Sequence, residues 1–76
     1  MKELLETIVK PLVEHPEEVN VTLVEREDAD VLELRVNPSD MGKVIGKQGR
    51  IAKAIRTVIR AAAMKDGKKI IVDIVE

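Results

Sequence analysis

Two glycines three residues apart, Gly46 and Gly49, interrupt a stretch that otherwise repeats its apolar residues at helical spacing. Glycine enters left-handed backbone without steric cost, so the pair marks a tight turn rather than a passive gap. The chain before the break reads as a short helix. Asn37 is placed to cap it, Pro38 to occupy its first position and Asp40 to sit in its first turn. The chain after the break reads as a second helix from about Arg50 to Met64, stopping near Asp66-Gly67. Any fold for this sequence must therefore accommodate helix, sharp turn and helix in succession.

The flanking segments narrow the choice. Leu4, Leu5, Ile8, Val9, Leu12 and Val13 fall on one helical face, with Pro11 expected to kink or divide that helix and His15-Pro16 to end it. Val19, Val21 and Leu23 alternate with Asn20, Thr22 and Val24, and Leu32, Leu34 and Val36 alternate with Glu33 and Arg35. Both stretches read as strands, joined by a polar turn over Arg26-Glu27-Asp28-Ala29-Asp30. Ile70, Val72 and Ile74 alternate with Ile71, Asp73 and Val75 as a closing strand. The order αββααβ follows: an α+β fold in one domain over residues 1–76, with no repeat or linker.

Composition excludes several classes. No cysteine is present, so a disulfide framework and a thiolate metal site are both ruled out. Acids stand among the first six residues, where a secretion signal needs an apolar stretch, and no run approaches the ~20 apolar residues of a membrane span. A cytoplasmic location is the expectation. With His15 the only histidine and Ser39 the only serine, no nucleophile–base pair can be assembled, and the chain is not expected to be an enzyme. Neither a metal nor a cofactor is called for. Gly46-Lys47-Gln48 is no phosphate-binding Walker loop, because Met41 and Gln48 occupy positions that need glycine and a hydroxyl.

The net charge of −1 conceals a polar distribution. Acids dominate the chain up to Asp40 and bases dominate from Met41 onward, so a basic surface can exist on a nearly neutral molecule. Lys47 lies between the glycines. Arg50, Lys53, Arg56 and Arg60 follow at spacings that gather them within about a third of the helix circumference, with Ile51, Ala54, Ile55, Val58, Ile59 and Ala62 expected to pack on the other side. A helix N-terminus at the turn adds free N–H groups and a positive dipole end. Backbone approach, dipole and cations together suit a phosphate chain.

The run Val44-Ile45-Gly46-Lys47-Gln48-Gly49-Arg50-Ile51 resembles the core motif of KH domains, an apolar pair before GxxG and an isoleucine after it. The element order is similar to the type II form of that fold, with a three-stranded sheet and three helices packed on one face. Within it, the length and the segments Ile8-Val9-Lys10-Pro11-Leu12-Val13 and Gly42 to Arg50 look most like the small bacterial KhpA family. The resemblance implies non-catalytic binding of about four nucleotides of single-stranded RNA. Gly46, Lys47, Gln48 and Gly49 would hold the backbone, Arg50 and Lys53 would add phosphate contacts, Lys43 would flank them, and Ile45 would form groove wall or core. It further implies a role as an RNA chaperone or post-transcriptional regulator, and a homodimer or a heterodimer with a larger KH-containing protein of the KhpB type. Because aromatic content is 0%, bases cannot stack on rings, and weak sequence preference is expected. Two other readings stay open: a protein-interaction subunit using Ala61-Ala62-Ala63-Met64, and binding of single-stranded DNA.

Overall fold

Strand β2 (Asp30–Arg35) forms the middle of a three-stranded sheet, and its Leu32 and Leu34 are almost wholly buried. The description covers residues 1–75 of a computed structural model; Glu76 lies outside it. Strand β1 (Asn20–Glu25) pairs with β2 antiparallel, setting Val21 opposite Leu34 and Leu23 opposite Leu32. Strand β3 (Ile70–Ile74) pairs with β2 parallel, setting Val72 opposite Leu32 and Ile74 opposite Leu34. A parallel neighbour demands a crossover. That crossover is the helix–turn–helix, which carries the glycine turn.

Helix α1 (Lys2–Val9) buries Leu5 and Val9, one turn apart. Pro11 cannot donate to the helical ladder, and the chain tightens there into a single 3₁₀ turn at Lys10–Leu12. Asn37 accepts the Ser39 backbone N–H on its side-chain oxygen at 2.8 Å and starts a 3₁₀ turn at Pro38–Asp40. Helix α2 (Met41–Ile45) follows directly, with Val44 buried. Helix α3 (Arg50–Lys65) is the longest element at 16 residues and buries Ala52, Ile55, Ile59 and Ala63. These join Leu5, Val9, Val21, Leu32, Leu34, Val44, Ile70 and Val72 in one aliphatic core on one face of the sheet. On the other face Thr22, Glu33 and Asp73 line up across the strands.

Four expectations need adjustment. Leu23 has the alternation of a core residue but is 48% exposed, although Val21, two residues earlier on the same face of the same strand, is buried. Asp30, read as turn, is the first residue of β2, and its N–H donates to the Lys69 carbonyl at 3.0 Å. Ala54 and Val58 do not pack inward. The buried face of α3 is centred on Ile55 and Ile59, about 60–140° away from them around the helix. Ala63, at the end proposed for a partner, belongs to the core.

Candidate nucleic-acid interface

The turn between α2 and α3 gives its two glycines different work. Gly46 has φ +76° and ψ 177°, a conformation essentially reserved for glycine. A Cβ on it would lie 2.5 Å from Cγ1 of Ile51 and 2.9 Å from its Cβ. Ile51 therefore wedges under the turn, which is why this backbone carries an isoleucine two residues beyond the second glycine. Gly49, at φ +73° and ψ 15°, is left-handed but has nothing within 4 Å of a hypothetical Cβ. Between them Gln48 is also left-handed, at φ 58° and ψ 26°, an unusual state for a residue with a side chain. The result is a thin rim of backbone, exposed at Lys47 and Gln48, that leads into the first turn of α3, where the Arg50 N–H donates to the Lys47 carbonyl.

Cations surround that rim. Lys47 is on the turn itself, and Arg50 donates from Nη2 to Oε1 of Gln48 at 3.3 Å, which draws the guanidinium back over the turn. Lys53 is exposed one turn further along. Among the described residues no carboxylate lies within ion-pairing distance of Lys47, Arg50 or Lys53. Their charge is available to an outside anion. Ile45 is half-buried against the core beneath the turn.

Lys43 is placed differently. Its Nζ lies 3.5 Å from Glu14 and 3.7 Å from Asp40, so its charge is engaged within the protein. Asp40 is the residue that sequence reasoning undervalued. Its carboxylate is fully buried and accepts the backbone N–H groups of Glu14 and His15 at 3.1 and 3.0 Å. Burial alone would raise its pKa. The two N–H donors, together with His15 and Lys43, more than offset that and hold the carboxyl below its ordinary range. Asp40 thus ties the segment after α1 to the base of the helix that carries the turn. Nothing in the local sequence marks this role, because the partners lie about 25 residues away.

Helix α3 presents two exposed flanks. Toward β3 lie Arg56 and Arg60, and Arg56 Nε donates to the Val72 carbonyl at 3.2 Å across a cleft. Toward α1 lie Ala54 and Val58, which with Ile8, Leu12 and Ile51 line an almost wholly apolar hollow of about 350 Å³. The expected basic stripe is present, but beside the core rather than opposite it. Elsewhere, His15, Glu17 and Glu18 each bring a ligand atom within 4.8 Å of the others. They are surface groups, and Glu18 already accepts a bond from Asn37.

A mixed three-stranded sheet with helices on one face, ordered αββααβ and carrying a GxxG turn between its last two helices, defines a KH domain. The chain belongs to the KhpA/KhpB KH-domain family, whose family model matches residues 2–74. It is 63% identical over 75 residues to the RNA-binding protein KhpA of Clostridium perfringens, covering 99% of this chain and 100% of that one. It is 47% identical over 76 residues to RNA-binding protein KhpA of Aquifex aeolicus, covering 100% of this chain and 96% of the relative. Among solved structures it resembles Aquifex aeolicus Era in a complex with GDP and aluminium fluoride, with a TM-score of 0.68 and 20% identity. That match covers 96% of this chain and 28% of the Era chain, and it concerns the fold. The family is one of binding domains rather than enzymes, as the residue inventory led us to expect. No helix among the described residues is long and apolar enough to cross a membrane.

Proposed function

We propose that the chain binds single-stranded RNA without catalysis, with the backbone of about four nucleotides held on the Gly46-Lys47-Gln48-Gly49 turn. Arg50 and Lys53 supply the flanking phosphate contacts, and Ile45 supports the turn from below. Lys43 contributes mainly by linking α2 to Glu14 of the segment after α1. The observation that carries the reading is the turn itself: backbone held in glycine-only geometry by the Ile51 wedge, next to cations that no described carboxylate neutralises. The relatives' printed name, RNA-binding protein KhpA, supports it. The same kinship favours work in the bacterial cytoplasm as an RNA chaperone or post-transcriptional regulator.

The apolar hollow between α1 and α3 favours a second, compatible reading of the same molecule. Leu12 and Val58 are 40% and 49% exposed, and a second copy or a KhpB-type KH protein is the proposed occupant. Pairing would tether two weak turns on one RNA and raise the apparent affinity.

Labelled RNA, followed by anisotropy at two salt concentrations, tests the main reading with Lys47→Asp/Gln48→Asp. The double variant keeps both glycines and should keep the wild-type melting temperature. Binding should fall at least a hundredfold, and wild-type binding should weaken with salt. Equal binding by both proteins would remove the turn from the interface. Single-stranded DNA of the same sequence, used as competitor, shows whether the sugar matters.

A further inference from the structure

We infer that Asp40 is a positioning residue for RNA binding. It locks the helix that leads into the glycine turn to the segment after α1, and the turn accepts phosphate only while that lock is closed. The inference rests on the reading above for what the turn holds, and on separate residues for the lock.

The need for a lock follows from the length of α2. A five-residue helix is little more than one turn and has no stability of its own. Val44 is its one buried residue, so core packing pins it at a single point. From Asp40 to Gly46 the chain rises about 9 Å, and any tilt of α2 about Val44 moves the turn with it. Gly46 ends the helix by donating to the Gly42 carbonyl at 2.8 Å, so no linker separates helix from turn.

Asp40 supplies the second point of attachment, four residues before Val44 and on the same face. Its side chain is fully buried. One carboxylate oxygen accepts the Glu14 N–H at 3.1 Å and the other accepts the His15 N–H at 3.0 Å. Both donors lie between two 3₁₀ turns, Lys10–Leu12 and Pro16–Glu18, where regular structure offers them no acceptor. Two outer contacts run the same way: Lys43 Nζ reaches Glu14 at 3.5 Å, and Asn37 Nδ2 donates to Glu18 at 2.8 Å. Those are exposed and contribute little, whereas the Asp40 bonds are charge-assisted and shielded from water.

Asparagine separates the lock from the packing. It has the shape of aspartate but a single acceptor oxygen, so its NH₂ group must face one of the two backbone donors. The lock opens on one side and no cavity is left. A turn that is competent about a tenth of the time binds RNA about tenfold more weakly. Linkage also requires the converse: RNA that binds only the closed form must hold the lock shut. The Glu14 and His15 amides report on that directly.

The experiment compares wild type, Asp40→Asn, Val21→Ala and the turn variant Lys47→Asp/Gln48→Asp, at pH 7 and a temperature where circular dichroism shows all four folded. Val21 is buried in β1 and takes no part in the lock, so its truncation controls for lost stability. Val21→Ala should melt below wild type yet bind oligouridylate within about twofold of it. Asp40→Asn should bind about tenfold more weakly. In wild type, RNA at ten times its Kd should slow hydrogen exchange at the Glu14 and His15 amides about tenfold. The Arg26 amide, bonded to Ala29 in the β1–β2 turn, should keep its rate. That measurement needs no variant and decides the matter if Asp40→Asn does not fold. Equal affinity in Asp40→Asn and Val21→Ala, or equal slowing at Glu14, His15 and Arg26, would overturn the inference; the parent reading survives either result if the turn variant loses binding. Wild-type binding by the turn variant would sink that reading and the inference with it.

Discussion

The two flanks of α3 share one helix and are both exposed, yet their chemistry is opposite. The flank facing β3 carries Lys53, Arg56 and Arg60; the flank facing α1 carries Ala54 and Val58 above Ile8 and Leu12. A helix lying on a small sheet buries only the strip around Ala52, Ile55, Ile59 and Ala63. Apart from half-buried Ile51 and Ala62 the rest is surface, and here that surface is divided between a basic flank and an apolar one. The difference teaches that a residue's absence from the core does not make its role generic.

The severest way to break this arrangement is Gly46→Ala. A methyl group in glycine-only backbone costs about 1–3 kcal/mol, and forcing Ile51 aside adds about 1–3 kcal/mol more. A domain of this size has only about 4–11 kcal/mol in total. Thermal melting should show a drop of more than 10 °C together with loss of RNA binding; a normal melt would refute the Ile51 wedge. Gly49→Ala separates conformation from contact, because only the left-handed backbone opposes it, at about 1–2 kcal/mol. Its melt should lie between wild type and Gly46→Ala.

Asp40 allows the α1-side flank to be loosened separately. Its folded pKa is lowered, so its stabilising contribution is complete above the unfolded value of 3.8 and disappears as pH falls through the lower folded value. Asp40→Asn should lower the melting temperature by several degrees at pH 7. The gap between variant and wild type should narrow in melts run below pH 3.8, and a gap independent of pH would mean that the carboxylate charge is irrelevant.

A matched pair gives the finest discrimination. Lys53→Glu should weaken binding to a short RNA about tenfold without changing the sedimentation coefficient. Val58→Glu places the same charge on the same helix, and should leave short-RNA affinity within about twofold while reducing any self-association in sedimentation. If both variants behave alike in both measurements, the flanks are not distinct surfaces.

Much of this was legible beforehand, for reasons that differ by element. The strands around Val21, Leu32 and Val72 announce themselves because a sheet with one buried face imposes a two-residue period. The GxxG turn was legible because positive φ selects glycine, and the cations because they follow at helical spacing. Leu23 misled because periodicity assigns a face but not how far along the strand that face is covered, so Val21 is buried and Leu23 is not. Ala54 and Val58 misled because apolar residues on a helix point equally well to a core or to an exposed hollow. Asp40 looked like a first-turn acid.

The sequence by itself determined the order of elements, the turn at Gly46 and Gly49, and the enrichment of its second half in positive charge. Each depends on neighbours within a few residues, where backbone sterics and side-chain period act directly. Only the tertiary structure decided that Asp40 would be buried under the backbone of Glu14 and His15, and that β3 would stand beside Arg56 and Arg60 rather than beside Val58. Those depend on which surfaces meet when the crossover closes over the sheet. Distant segments are brought together by burial of the whole core, and that is a property no local stretch of chain carries.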